Sequence, residues 1–351
     1  MPAEIAIRGA GPVGCVLALL LRQCGIPVVL VQEQKAAPAS LRPIALSHAS
    51  RLILERAGAW AALAPTPIDR IHVSQQGAFG RAQLSAEDAG VPALGYVTGY
   101  GDLLAALLNR VAGCDIRIAA EGPAAPLVVH AEGTSTDATE KDYGQEAVVA
   151  LVTTRPAAAG TAWERFTPEG PLALLPLGGR LCAIWGMRPE RARELCEAPE
   201  AEFLAALARA IGQRAGEFLS AGERSRVRLA LRVRPSRIGE RVAYIGNAAQ
   251  TLHPVAGQGL NLGLRDAWDL AQVLQDAADP GDVRVLQRFA DLRRIDASAT
   301  VRVTDFLAGA FLGARPVAGA MRGFGLTALD ICLPARHFFA RRMIFGASAL
   351  P

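Results

Sequence analysis

Two glycine clusters carry the residue types and spacings that could do chemistry. The first, Gly9-Ala10-Gly11-Pro12-Val13-Gly14, follows Glu4-Ile5-Ala6-Ile7-Arg8 and precedes the apolar run Cys15–Leu21. Strand, glycine turn, helix is the context in which G-x-G-x-x-G means something. Gly9 allows a tight turn, Gly11 lets a pyrophosphate approach the backbone, and Gly14 lets helix and strand pack closely. The phosphates would sit at the positive N-terminal end of the helix that Pro12 and Val13 open. A second strand, Val28–Val31, should end in a group that holds a ribose hydroxyl. Gln32 and Glu33 compete for that role, because successive strand residues face opposite ways. For Glu33 a solvated surface charge is the competing reading.

The second cluster lies far along the chain: Gly246-Asn247-Ala248-Ala249-Gln250-Thr251-Leu252-His253-Pro254-Val255-Ala256-Gly257-Gln258-Gly259-Leu260-Asn261. It reads as a strand end, a Gly/Pro-rich loop and a helix start. Gly257 and Gly259 strip side chains from the loop, so backbone N–H groups could meet a planar ligand. The following helix points its N-terminus at whatever the loop cradles.

The elements that must position these turns are visible in outline. A βαβ unit opens the chain. Helices are expected over 47–56 and 102–111, and 121–126 forms a connector. Strands are expected at 127–130, 146–153, 172–177, 181–187, 226–233 and 241–245, with turns at 155–161 and 166–171. Residues 200–218 and 261–278 read as helical, and the chain stays mostly helical to its end. The fold class is therefore α/β with α+β elements: a Rossmann-type βαβ domain interleaved with an antiparallel-sheet domain and a helical C-terminus. The divisions expected are 1–130 and 236–280 for the nucleotide-binding domain, 131–235 for the antiparallel domain and 281–351 for the helical region.

Composition excludes other classes. The chain has 351 residues, 51% hydrophobic and 20% charged, with a net charge of +4. That is a globular chain with a sizeable core. Its positive charge is almost all arginine, scattered with few aromatics, which argues against a nucleic-acid surface. Cys15, Cys24, Cys114, Cys182, Cys196 and Cys332 form no C-x-x-C pair, so reduced thiols are expected and no metal site. The longest uncharged stretch, 242–264, is too polar for a membrane span. The N-terminus has no basic segment ahead of its first strand, so no signal peptide is read. No Ser/His/Asp elbow and no H-E-x-x-H motif appears.

The second cluster, with Leu262 and Gly263, resembles the second FAD motif of the class A flavin-dependent aromatic hydroxylases, in the branch of the 2-polyprenyl-6-methoxyphenol hydroxylases of ubiquinone biosynthesis. Arg42-Pro43-Ile44-Ala45-Leu46 resembles that family's arginine segment, and 142–150, 163–176, 302–305 and 325–330 resemble other segments of it. The resemblance covers nearly the whole chain. It implies FAD as cofactor and NAD(P)H as transient reductant, with O₂ delivering one oxygen atom to a phenol-like ring. It places Arg42 on the FAD pyrophosphate and Asn247 beside the ribityl chain. Gly259, Leu260 and Asn261 would offer backbone groups to the flavin ring, and Pro254 would lie against it. His253 is the candidate proton carrier, with a structural hydrogen bond as the competing role. The substrate implied is a hydrophobic polyprenyl phenol, met in the cytoplasm or at the inner membrane face. The segment 331–345 then reads either as a core-docking helix or as a membrane-surface helix. Partner proteins of a ubiquinone-biosynthesis complex are implied as well, and a non-catalytic or weakly FAD-binding scaffold in such a complex is the alternative to the enzyme. Two departures stand out: Glu132-Gly133 replaces the usual Asp-Gly pair, and 118–127 is shorter than the family's strand meander.

In the family that meander covers the adenosine end of FAD. Its shortening leads us to expect reversible FAD binding. Flavin should be lost on extensive dialysis and restored by added FAD. A stoichiometry that stays at one FAD per chain throughout dialysis would contradict this.

Overall fold

A β-branched and apolar run makes β1 (Ile5–Arg8), and the glycine turn leads straight into α1 (Pro12–Gln23), with Pro12 supplying helical φ at the first turn. The computed structural model describes residues 4–32, 42–77, 79–132, 137–252, 257–310 and 316–346. The chain continues through β2 (Val28–Val31), β3 (Pro43–Ser47), α2 (His48–Arg56), β4 (Thr66–Ile68), β5 (Arg70–Gln75), β6 (Arg81–Ser85), the single turn α3 (Ala86–Ala89), β7 (Gly95–Gly99) and α4 (Tyr100–Ala112). Next come β8 (Arg117–Ala119), β9 (Val128–His130), β10 (Thr139–Arg155), β11 (Thr161–Phe166), β12 (Pro171–Leu177), β13 (Arg180–Met187), α5 (Pro189–Glu197), α6 (Glu200–Ile211) and β14 (Glu217–Val233). It ends with β15 (Ile238–Gly239), β16 (Val242–Tyr244), β17 (Gln250–Thr251), α7 (Gln258–Gln275), α8 (Val283–Ala310), α9 (Pro316–Ile331) and α10 (Leu333–Phe345).

One sheet has the order β15-β16-β9-β1-β2-β8, parallel throughout except for the β15–β16 pair. The strand order reverses at β1, so a crevice opens beyond the carboxyl ends of β1 and β9, where a doubly wound sheet binds its ligand. Helices α1, α4 and α7 cover one face through Leu17, Leu103, Leu107, Leu264 and Leu270. Pro12 to Leu21 are all buried, which explains why α1 is apolar all round. On the other face Ala6, Val29 and Val31 are flanked by Ala119 of β8 and Val128 of β9, and the short connector lies over them through Ala125 and Gly122.

The second sheet has the order β17-β14-β10-β13-β12-β11-β5-β6 and is antiparallel apart from β11 with β5. One face packs under α5 and α6, with Val148, Leu172, Leu174 and Trp185 against Ala192, Leu195, Phe203 and Leu207. At the edge of the opposite face, Ala162 meets Ile68 and Val97 of the small β3-β7-β4 sheet, while Leu84 meets Ala340 and Ile344 of α10.

Several elements differ from expectation. The helix expected over 200–218 stops at Ile211, where Gly212 takes φ +75°, and the chain is strand from Glu217 onward. The strand expected at 226–233 is the second half of β14, which begins nine residues earlier, and its exposed side is tied to β10 by the ion pairs Arg226–Glu146, Arg228–Asp142 and Arg232–Glu140. Helix α7 begins three residues before the expected start, and β3 to β8 were not anticipated. Strands β5 and β6 lie early in the chain, yet they hydrogen-bond into the second sheet. In α10, Ala340 and Ile344 are buried while Phe338 is exposed, so the helix docks on the core with one face outward.

A buried ion network ties the C-terminal helices to the second glycine cluster. Arg293 reaches Asp266, Asp269 and Asp296, each at 2.7 Å, and Arg265 reaches Asp296 at 2.8 Å. The side chains of Arg293 and Asp266 are both 0% exposed. Burial pushes the Asp266 carboxyl up, but Arg237 and Arg293 outweigh it and hold it below the usual carboxylate range. Removing one member of a buried pair leaves an uncompensated charge, at a cost of about 3–5 kcal/mol. Asp266→Asn should therefore lower stability by about that amount in urea unfolding. A midpoint equal to that of the parent protein would show that the network is not maintained in solution.

Candidate functional site

At the first turn, Gly9 takes φ +110° and donates its N–H to the Val31 carbonyl at 2.8 Å, joining β1 to the end of β2. A Cβ on Gly9 would lie 2.5 Å from Glu132 Cβ, and one on Gly14 would lie 1.9 Å from the Gly9 carbonyl oxygen. Internal packing therefore requires both glycines. Gly11 is different. A Cβ there would meet only the Tyr100 hydroxyl, at 3.8 Å, so the chain's own packing leaves room for a side chain. Gly11 is also the N-cap of α1 and offers no side-chain cap. The first-turn N–H groups of α1 thus face a space bordered by Tyr100, and glycine is needed there only for something that comes close to the backbone.

Arg42 borders the same space. Its carbonyl accepts the Tyr100 N–H at 2.9 Å, and its guanidinium carbon lies 5.3 Å from the centre of the Tyr100 ring. The guanidinium is held by stacking and remains exposed, ready for a bidentate anion contact. Tyr100 was missed in the sequence, since nothing near Gly99-Tyr100 signals its role. Burial pushes its phenol up, and Arg42 only partly offsets this.

The second turn is drawn onto the first. Gly246 takes φ +57° and its N–H is held by Asp266 Oδ2 at 3.1 Å. A Cβ on Gly263 would lie 2.8 Å from Val13 Cγ2, so α7 crosses α1 at the glycine turn. Gly257, at φ +59°, is the N-cap of α7 and has no side-chain cap. Gly259 has open space where a Cβ would be. The N-termini of α1 and α7 therefore carry one glycine each that protein packing does not require. That arrangement fits a ligand whose pyrophosphate is separated by a short linker from a flat ring, as the ribityl chain of FAD separates its diphosphate from the flavin.

Asn261 acts through its side chain in a way the sequence did not signal. Its Oδ1 accepts from Ser47 N at 2.8 Å and Ser50 Oγ at 2.7 Å. Its Nδ2 donates to the Ala45 and Gly257 carbonyls at 3.0 and 2.8 Å. All four hydrogen-bonding capacities are used, so the side chain clamps the Gly257 turn to β3, and only its backbone is left to face a ring. Leu260 packs against the main core, and Asn247 is exposed at the end of β16. Gln32 ends β2 with its N–H on the Ala119 carbonyl at 2.9 Å. Glu33, His253 and Pro254 lie outside the described residues.

The open face of the second sheet adds one group that sequence reasoning missed. Glu164 on β11 stands between Ala173 and Val73 in the ladder, and its row continues through Ile184 to Val149. This face is the one that meets Val97 of β7, the strand beside β3. Among the described residues no partner meets the Glu164 carboxylate, and burial pushes its carboxyl up to about 7. A lone carboxyl with that affinity for a proton, in an apolar row, suits proton transfer near neutral pH.

Comparison with known proteins gives the family. Residues 2–97 and 109–304 match the FAD binding domain family. The ubiquinone hydroxylase UbiL of Rhodospirillum rubrum is 31% identical over 382 residues, covering 97% of this chain and 89% of that protein. The 3-demethoxyubiquinol 3-hydroxylase of Escherichia coli is 29% identical, covering 94% and 95% of the two chains. Among solved structures, the p-nitrophenol 4-monooxygenase PnpA of Pseudomonas putida superposes with a TM-score of 0.78 at 16% identity over 99% of each chain, which shows a shared fold. The chain belongs to the FAD binding domain family, in its branch of flavin-dependent aromatic hydroxylases, and FAD is its cofactor.

Proposed function

We propose that this enzyme hydroxylates the ring of a polyprenyl phenol, a lipophilic precursor of ubiquinone, with NAD(P)H as the transient reductant. The observation that carries the reading is the open sheet face: an apolar row interrupted by one carboxyl, Glu164, on the side toward the glycine turns. Relatives named as ubiquinone hydroxylases support the substrate class.

In this reading FAD, when bound, supplies the activation of oxygen. The chain does the rest. Pro12 opens the helix without an N–H of its own, and the N–H groups that follow it, from Val13 on, receive the pyrophosphate together with Arg42. Gln32 or Glu33 holds the ribose, and Asn247 lies beside the ribityl chain. Backbone groups of Gly257, Gly259, Leu260 and Asn261 face the flavin ring, with Gly246 fixing the turn below, and the family resemblance assigns His253 and Pro254 to the same site. The apolar face orients the phenol ring and excludes water, which strengthens every polar contact made there. Ionised Glu164 accepts the phenol proton at a carboxylate oxygen, raising electron density on the ring carbon to be hydroxylated. His253 is the second proton-handling group. The prenyl tail requires delivery from lipid or from a partner of a biosynthetic complex. No helix among the described residues is long and apolar enough to cross a membrane, and the contact proposed at the inner membrane face is peripheral.

Gly11→Val fills the space that packing leaves open. It should abolish flavin retention while the circular dichroism spectrum is unchanged, and equal FAD content would contradict the assignment. Arg42→Ala removes a charge-assisted contact worth on the order of 1.5–3 kcal/mol, so FAD affinity should fall about tenfold or more. An unchanged dissociation constant would leave Arg42 as a surface charge. For Glu164 the sign follows from its role. The carboxylate is the active form, so kcat/KM should rise with pH through about 7 and then level. Glu164→Gln should remove that limb and leave FAD binding intact. A limb that persists in the variant would assign it to another group.

A further inference from the structure

A cavity of about 380 Å³ opens at the far end of β5, lined by Ser74, Gln75, Phe79, Arg81, Arg165 and Arg214. Three elements supply its cations. Arg81 starts β6 and pairs with Ser74 across the hairpin. Arg165 is near the end of β11, and Arg214 belongs to the short 3-10 turn 213–215 after α6. Arg165 is aimed by two bonds, from Nε to the Ala210 carbonyl at 2.7 Å and from Nη1 to Ser74 Oγ at 3.1 Å. Among the described residues none of the three guanidiniums has a carboxylate partner. Elsewhere in the chain arginines are routinely paired, as on the β10–β14 rungs and in the network around Asp266.

Three like charges converging on one cleft repel one another, and their field is felt by nearby groups. Burial lowers the affinity of the His72 imidazole for a proton, and Arg214, Arg81 and Arg165 lower it further. The Arg165 guanidinium is itself pushed down by burial and by Arg214. The rim is apolar: Phe79 is 51% exposed and Phe324 of α9 is 68% exposed, and the two rings meet edge to face at 5.0 Å. The hairpin and α9 are held together here, since a Cβ on Gly80 would lie 2.5 Å from the Gly323 carbonyl oxygen.

We propose that this cleft is a second binding site, for a phosphate ester whose phosphate is held by Arg81, Arg165 and Arg214 and whose organic part lies against Phe79 and Phe324. Guanidiniums match phosphate oxygens in forked pairs, and a multiply charged group neutralises the cluster better than a single carboxylate does. The cavity is larger than one phosphate, which leaves room for what is esterified to it. Two sources share this chemistry, a soluble phosphate ester and a phospholipid headgroup. The site is separate from the glycine turns at α1 and α7 and does not depend on the reaction proposed above.

The test uses FAD-saturated protein, so that the first pyrophosphate site is filled. Calorimetric titration with inorganic pyrophosphate at constant ionic strength should show one saturable site. In the double variant Arg81→Gln/Arg214→Gln, which changes two exposed side chains, affinity should fall about tenfold or more. Sedimentation with phosphatidylglycerol vesicles, with phosphatidylcholine vesicles as control, reads the other source. Binding of phosphatidylglycerol alone, lost in the double variant, supports the site and assigns it to a headgroup. Saturable pyrophosphate binding lost in the variant supports it as a soluble-ester site. No saturable binding of either probe, or binding that the double variant leaves unchanged, overturns the proposal.

Discussion

The fully buried carboxylate of Asp266 is the contact on which the arrangement of the site depends. Its Oδ2 accepts the Gly246 N–H at 3.1 Å and Gln250 Nε2 at 2.9 Å, while Oδ1 accepts Arg293 Nε at 2.7 Å. A fourth contact comes from Arg237 Nη1 at 3.2 Å. One side chain thereby fixes the turn after β16, the start of β17, the segment before β15 and helix α8. A buried charge tolerates no vacancy among its partners. Arg237, Arg265 and Arg293 balance Asp266, Asp269 and Asp296, so the cluster carries no net charge. Such a network adds little net stability over an apolar core of the same shape. What it contributes here is placement, because Gly246 cannot move without unpairing a buried carboxylate.

From that anchor the cofactor site is assembled by close approaches. Gly263 lets α7 lie on Val13, and this brings the N-terminus of α7 beside that of α1. Asn261 then ties Gly257 to β3, and β3 ends at Ser47, the N-cap of α2. Two helix dipoles, the stacked Arg42 and the open space at Gly11 and Gly259 are the result. The chain supplies position and field, and the cofactor supplies the redox chemistry.

Much of this was legible in the sequence, for a physical reason. A G-x-G-x-x-G turn between strand and helix, and a Gly/Pro-rich loop before a helix, depend on local backbone needs, so spacing reveals them. Asn261 was visible only as part of the second cluster, because three of the four groups that use up its side chain, on Ala45, Ser47 and Ser50, lie more than 200 residues away. Asp266 likewise meets Arg293 only once α7 and α8 pack. Glu164 reads as one polar residue in a short strand; its raised proton affinity comes from burial among neighbouring strands, which no local pattern contains. Of the long β14 only 226–233 was legible, because its first half, 217–225, is largely exposed and its burial does not alternate.

The most direct measurement is a crystal structure of the protein with FAD. It should place the pyrophosphate within hydrogen-bonding distance of the first-turn N–H groups of α1 and of the Arg42 guanidinium, with the flavin ring against residues 257–261. FAD density elsewhere, or a folded chain that takes up no FAD at saturating concentration, would contradict the account.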